Sequence, residues 1–147
     1  MVCFLRILGS AKAVAVIFSP YLNTKRVKLF LSIKGVRDAL SRGVRMVVVT
    51  RPARGGRGGV SNPKEHGDAI RLLRDAGVKV VEVDALHFKA VIIDNEVIYL
   101  GSINPLSVVT YKEIPADYMI WFESEALVDE IVENAIGREA YENWLAS

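Results

Sequence analysis

The sequence alternates short apolar runs of strand length with amphipathic stretches of helix length. The runs at 13–18, 44–49 and 78–83 are rich in valine and almost uninterrupted, which is typical of strands buried on both faces of a sheet. Helical periodicity and end signals follow the first two runs. This alternation restricts the chain to an α/β architecture.

The remaining elements turn this pattern into a mixed sheet. Two shorter runs flank a turn formed by Asp94, Asn95 and Glu96, which predicts a β-hairpin. The other strands are predicted at 87–93, 97–100 and 118–122, and the helices at 2–11, 25–42, 64–76 and 124–144. We therefore predict one αβα sandwich over residues 1–147, with no internal repeat.

Composition narrows the cellular setting. A single cysteine, Cys3, rules out an internal disulfide and is consistent with a reducing compartment. No apolar run reaches the roughly 18–20 residues of a membrane span, and the N-terminus lacks the pattern of a secretory signal. We expect a cytoplasmic protein without a membrane partner.

Charge is distributed unevenly along the chain. Residues 1–75 carry 15 Lys and Arg against 4 Asp and Glu, a balance of +11, whereas residues 76–147 carry 4 against 13, a balance of −9. The basic half includes a glycine-rich loop at about 50–63 that contains Arg51, Arg54 and Arg57, and we predict that it is flexible. The loop lacks the Gly-Lys-Ser/Thr of a Walker loop. It can follow a phosphate backbone or serve as a solvated linker, and both interpretations stay open.

Polar residues with phosphoryl-transfer chemistry cluster around the predicted hairpin. His87 and Lys89 lie two residues apart on its first strand, so their side chains are expected on one face. Ser102 and Asn104 follow its second strand. A neutral imidazole can attack phosphorus or move protons near neutral pH. Lysine, serine and asparagine can stabilise the negative charge on the phosphoryl oxygens.

These residues also match a known signature. His87-Phe88-Lys89, then Asp94, then Gly101-Ser102-Ile103-Asn104 resemble the HxKxxxxD…GSxN signature of the phospholipase D superfamily. The stretches 35–49, 72–83 and 117–128 also resemble the framework of that family. The resemblance covers nearly the whole chain and implies the family's αβα fold.

The resemblance implies a mechanism shared between two chains. The family joins two such motifs in one site, and this chain has one, because the Lys64-Glu65-His66-Gly67 stretch lacks a lysine two residues after His66. A homodimer is therefore implied, in which one His87 attacks phosphorus and the second protonates the leaving oxygen. No metal or other cofactor is implied. Asp117, or alternatively Glu113, matches the acid that orients the histidine.

Two further residues of the signature are expected to be structural. The resemblance assigns Asp94 to bracing the hairpin through a salt bridge or backbone contacts. Gly101 can be explained by a tight turn alone. Residues without such neighbours, namely Cys3, Tyr21, His66 and Trp144, are interpreted as structural.

Three functions are compatible with this pattern. The short single-motif form and the basic first half favour a metal-independent nuclease acting on DNA or RNA. A nucleic-acid-binding module with an unused site is the alternative. The sequence disfavours a phospholipase or phosphatidyltransferase, because no basic amphipathic helix offers a membrane-docking face.

Overall fold

The fold is built on a six-stranded sheet in a computed structural model that describes residues 7–107 and 118–146. The strands are β1 (Val14–Phe18), β2 (Arg45–Thr50), β3 (Lys79–Glu82), β4 (Ala90–Ile93), β5 (Val97–Gly101) and β6 (Met119–Glu123). Their order is β3-β2-β1-β4-β5-β6. The first three strands are parallel, and β4, β5 and β6 each run antiparallel to the preceding neighbour in that order. The predicted mixed sheet is confirmed.

Helices cover both faces of the sheet. They are a 3-10 helix (Ile7–Ser10), α1 (Thr24–Ser32), α2 (Lys34–Ser41), α3 (Pro63–Asp75), α4 (Glu125–Ile131), a π-helical turn (Val132–Ile136) and α5 (Arg138–Leu145). One core joins the first four of these to the sheet and includes Phe30, Leu73 and Ile17. A second core on the opposite face includes Val128, Tyr141 and Val16. Successive side chains of a strand point to opposite faces of the sheet, so they enter two separate cores. The predicted αβα sandwich is confirmed.

The predicted helix at 25–42 is in fact two helices. Ile33 adopts an extended conformation (φ −67°, ψ 122°), ending α1 and preceding α2. A Cβ atom on Gly9 would come within 2.8 Å of the Gly35 Cα. The break thus redirects α2 to pack closely on the 3-10 helix, a tertiary contact that helical periodicity cannot report.

Both terminal helices also differ from the prediction. Within the predicted helix 2–11, only Ile7–Ser10 lies in a described helix, and it is 3-10. The predicted helix at 124–144 is divided into α4, the π-helical turn and α5, with Gly137 at φ 104° before α5. Glycine tolerates this backbone conformation, which would strain other residues.

Within residues 7–107 and 118–146, no helix combines the length and the apolar character needed to cross a membrane.

Candidate active site

His87 and Lys89 lie immediately before β4, not within it. The strand begins at Ala90, which corrects the predicted strand at 87–93. The Lys89 Nζ donates a hydrogen bond of 3.0 Å to the carbonyl oxygen of His87. The two residues therefore form a short extension at the end of the sheet, where side chains are not covered by the helical layers.

Antiparallel pairing brings the two halves of the signature together. Ala90 pairs with Leu100, so the residues before β4 lie beside those that end β5. His87, Lys89, Gly101 and Ser102 line one open groove of about 880 Å³. The grouping expected from the hairpin is therefore present in these four residues.

Gly101 is required by the close approach of β6. A Cβ atom at this position would collide with the carbonyl oxygen of Tyr118, and its φ is not in the left-handed region. The same carbonyl accepts a hydrogen bond from the Ser102 backbone N–H (3.0 Å), and the Ser102 Oγ accepts one from the Tyr118 N–H (3.1 Å). Strand packing, and not a tight turn, therefore explains the glycine.

Asn104 begins a segment that is held firmly against the core. Its Oδ1 is buried and has no hydrogen-bond partner in the described part of the chain. The next carbonyl, of Pro105, accepts a 3.1 Å hydrogen bond from the Nε of Arg26. Leu106 then donates its N–H to the Ser19 Oγ (3.1 Å) and accepts from the Asn23 N–H (3.0 Å). Buried polar atoms without partners are uncommon and are often found at functional sites.

Asp94 lies at the opposite end of the hairpin from the groove. Its carboxylate accepts three backbone hydrogen bonds of 2.8–3.0 Å from residues 12, 13 and 14, at the start of β1. Burial by itself raises the pKa of Asp94, but these N–H groups outweigh it, so the pKa lies below its usual value. Asp94 thus braces the hairpin against β1 through backbone contacts.

The loop at 50–63 is folded back on the protein. Arg51 donates to the carbonyl oxygens of Leu86 (2.7 Å) and Gly59 (3.2 Å). Arg54 forms a 2.7 Å salt bridge with Asp84. Arg57 is exposed, and none of the three arginines lines the groove. The predicted flexibility and phosphate binding of this loop stay predictions.

His66 is buried, with 2% of its surface exposed. Its Nδ1 accepts the Leu22 N–H at 3.3 Å, so the ring proton is on Nε2, which lies 2.7 Å from the Arg51 carbonyl oxygen and 3.2 Å from the Thr50 Oγ1. Burial lowers the pKa of His66. The ring is therefore held neutral and connects three segments of backbone.

The two candidate orienting acids, Asp117 and Glu113, lie outside the described residues, as does Cys3. Within the described ranges, no group of three His, Cys, Asp or Glu side chains is placed to hold a metal ion.

One wall of the groove is apolar, which was not predicted from the sequence. The side chains of β6 and the residue before it are unusually exposed, at 59% for Tyr118, 52% for Ile120, 55% for Trp121 and 43% for Phe122. Tyr118, Ile120 and Phe122 line the groove beside His87. An uninterrupted apolar strand is typical of a buried one, so no sequence signal distinguished this strand at the edge of the sheet.

Comparison with known proteins identifies the family of this chain. A family model described as "Cardiolipin synthase, PLD-like domain" matches residues 4–135. The chain belongs to the phospholipase D superfamily. No curated protein matches this chain.

Solved structures share the phospholipase D fold at low sequence identity. Nuc, a phospholipase D family member from Salmonella typhimurium, superposes with a TM-score of 0.68 at 18% identity, covering 96% of this chain and 86% of Nuc. NucT from Helicobacter pylori gives a TM-score of 0.62 at 16% identity, with coverage of 97% and 85%. TrmBL2, an archaeal chromatin protein that binds DNA, gives 0.54 at 11% identity, with coverage of 95% and 47%.

Proposed function

We propose that this protein is a metal-independent phosphodiesterase, a nuclease that hydrolyses DNA or RNA through a phosphohistidine at a site shared by a homodimer. The observation that carries the proposal is the convergence of His87, Lys89 and Ser102 on one solvent-open groove. An imidazole nucleophile beside an ammonium group and a hydroxyl supplies the main requirements of phosphoryl transfer.

The proposed reaction has two steps. In the first, the His87 imidazole attacks phosphorus, an N–P bond forms, and the bond from phosphorus to the leaving oxygen breaks. The second His87 of the dimer, initially protonated, gives its proton to that oxygen. In the second step the same histidine takes a proton from water, whose oxygen attacks phosphorus and releases His87.

The other residues of the signature have supporting roles in this proposal. Lys89, Ser102 and the Asn104 amide stabilise the charge on the non-bridging oxygens. Asp117, or Glu113, accepts a hydrogen bond from the N–H of the other ring nitrogen of His87 and so fixes its tautomer. The two His87 side chains must begin the reaction in different protonation states, one neutral and one protonated.

Nucleic acid is the proposed substrate because of charge. The +11 balance of residues 1–75 provides a source of phosphate contacts. Arg57, exposed on the loop, and its neighbours Arg51 and Arg54 were the sequence-based candidates for this role. The DNA-binding function in the description of TrmBL2 adds support for the same class of partner.

The test is cleavage of labelled single- and double-stranded DNA and RNA in EDTA. We expect turnover by the wild type and none by His87→Ala, with Ser61→Ala as a surface control of wild-type activity. Quenching at alkaline pH is expected to trap a nucleic-acid fragment joined through phosphorus to His87 in at most one of every two chains, detected by mass spectrometry. A metal requirement, or activity without His87, would contradict the mechanism. Salt-dependent binding without turnover would favour the nucleic-acid-binding module.

A phospholipid phosphodiester is the second candidate substrate. The apolar wall formed by Leu100, Ile120 and Phe122 beside His87 favours it, because this wall can cover an acyl chain. The cardiolipin synthase-type family model adds support. Hydrolysis or transfer in vesicles of phosphatidylglycerol, compared with DNA and RNA under the same conditions, separates the two. Faster turnover of the lipid would replace the nuclease proposal.

A further inference from the structure

We propose that Arg51 is a positioning residue that fixes the segment carrying His87, and that it does not act as a phosphate contact. The inference rests on the proposed function of His87. Because Arg51 lies in a glycine-rich basic loop, the sequence made it a candidate phosphate contact. The inference assigns it a different role.

The guanidinium of Arg51 is surrounded by protein groups. Its Nε donates a 2.7 Å hydrogen bond to the carbonyl oxygen of Leu86, the residue before His87. Its Nη1 donates to the Gly59 carbonyl at 3.2 Å, and its Cζ lies 4.9 Å from the centre of the Tyr21 ring. Two edges and one face of the guanidinium are thereby engaged, which fixes its orientation.

The backbone of Arg51 is itself held by the core. Its N–H donates to the Pro20 carbonyl at 3.3 Å, and its carbonyl oxygen lies 2.7 Å from the Nε2 of the buried His66. The preceding residue, Thr50, is fully buried and ends β2. The guanidinium thus projects from a rigid point of the sheet.

The segment that Arg51 holds depends on contacts from outside the sheet. Pairing of β4 with β1 begins at Ala90, three residues after His87. On one side of His87, the Leu86 carbonyl is bound by Arg51; on the other, Phe88 packs edge-to-face on Phe18 with ring centres 5.0 Å apart. These two contacts restrain the backbone of His87, whose own side chain is exposed.

A similar arrangement supports the other half of the site. Arg26, which is 5% exposed, donates through its Nε to the carbonyl of Pro105, the residue after Asn104. Each half of the signature therefore has an arginine bound to a carbonyl immediately next to a proposed functional residue. This repetition favours a positioning role for both arginines.

The kinetic test compares Arg51→Lys with Arg42→Lys, a matched change in a guanidinium that also donates to two backbone carbonyls, those of Gly9 and Ala11, outside the groove. Lysine keeps the charge but cannot reproduce the guanidinium fork that reaches two carbonyls. Small displacements of reacting groups can reduce rates about 100-fold. We expect kcat of Arg51→Lys to fall about 10- to 100-fold on the most active substrate, with KM and its salt dependence unchanged. Arg42→Lys should keep the wild-type kcat.

Two results would overturn the proposal. An Arg51→Lys protein with wild-type kcat would show that the hydrogen bonds of the Arg51 guanidinium have no catalytic consequence. A raised KM with an unchanged kcat would show a phosphate contact instead. Tyr21→Leu, which removes the ring beneath the guanidinium and keeps its hydrogen bonds, is the second variant and should lower kcat by a smaller factor. Thermal unfolding confirms that each variant is folded at the assay temperature.

A measurement without turnover separates this proposal from the proposed function. Backbone ¹⁵N relaxation at residues 86–89 should show lower order parameters in Arg51→Lys than in the wild type or Arg42→Lys. If the wild type hydrolyses no phosphodiester, the proposed function fails, and the relaxation data still decide whether Arg51 fixes this segment. Unchanged order parameters at residues 86–89 would overturn the positioning role.

Discussion

The two histidines of this chain show how surroundings divide identical side chains between different roles. His66 binds backbone groups of two other segments, at Leu22 and Arg51, and is 2% exposed, whereas His87 is exposed in the groove. The ring of His66 has a fixed tautomer because Nδ1 accepts and Nε2 donates. A histidine in this position organises the structure, and one like His87 is accessible to a substrate.

Because burial lowers the pKa of His66, folding is expected to weaken in mild acid. The unfolded state binds the proton at about pH 6.5 and the folded state only at lower pH, so the stabilisation is complete above about 6.5 and is lost as the pH falls towards the folded pKa. The free energy of unfolding should decrease below pH 6.5 by at most about 1.4 kcal/mol per pH unit from this group. Urea unfolding between pH 5 and 8 measures the slope.

His66→Gln should flatten this dependence, and His87→Gln, which replaces the exposed histidine, should preserve it. An equal slope in the His66→Gln protein would assign the pH dependence to other groups.

Gly101→Ala is expected to destabilise the protein and disturb the groove. The added methyl group would meet the Tyr118 carbonyl, so β6 must move or the backbone must distort. Overpacking of this kind typically costs about 1–3 kcal/mol. Gly55→Ala is the control, since a Cβ there would lie 3.9 Å from Pro63. Denaturant unfolding measures both variants, and equal stability would mean that β6 yields without penalty.

At the scale of elements, the β4–β5 hairpin determines how much of the site could be predicted. His87 and Ser102 are close in sequence and are joined by one antiparallel register, so spacing alone was enough to group them. The contacts of Arg51 with Leu86 and of Arg26 with Pro105 join residues 35 and 79 positions apart. No local pattern in the sequence reports such pairings.

The same limit applies to the fold. The strands of the core were predicted because buried strands carry a local apolar signal. The break at Ile33 was not, because it depends on the approach of Gly35 to Gly9 in the folded protein. The exposure of Trp121 was also missed, since the position of β6 at the sheet edge is a property of topology.

Asp94→Asn tests the anchor at the far end of the hairpin. Asn tolerates the left-handed backbone found here (φ 53°), so the turn can keep its geometry while the charge is lost. An amide oxygen accepts weaker hydrogen bonds from the N–H groups of residues 12–14 than the carboxylate does. The substitution should therefore destabilise the protein by about 1–2 kcal/mol at pH 7.

Because the folded pKa of Asp94 is lowered, its contribution is present above the usual carboxyl pKa of about 3.9 and is lost as the pH falls below it. The difference between wild type and Asp94→Asn should therefore shrink in acid. Asp75→Asn, at an exposed carboxylate, should have little effect in the same unfolding measurements.

At the scale of the whole molecule, cations on two neighbouring strands bind the end of the C-terminal helix. Arg45 and Lys79, from the basic half and the start of the acidic half, donate to the Leu145 and Ala146 carbonyls at the end of α5. Cations at a helix C-terminus offset the orphan carbonyl groups there. These contacts tie the C-terminal helix to the edge of the sheet formed by β2 and β3.

The exposed strand β6 makes the proposed homodimer testable. A shared site needs a second His87, and the exposed side chains of Tyr118 and Ile120, which line the groove with His87, are suited to burial against a second copy. Ile120→Glu should therefore shift the protein towards monomer and reduce specific activity. The loss of activity should be largest at low protein concentration, because dilution separates the two chains.

Leu29→Glu is the matched control, since Leu29 is another large apolar residue that is 41% exposed, on α1 and outside the groove. It should keep both the mass of a dimer and the wild-type activity. Sedimentation velocity and activity assays over the same range of concentrations compare the three proteins. An Ile120→Glu protein that stays dimeric would place the interface elsewhere, and a fully active monomeric wild type would contradict the shared site, because one chain carries a single motif.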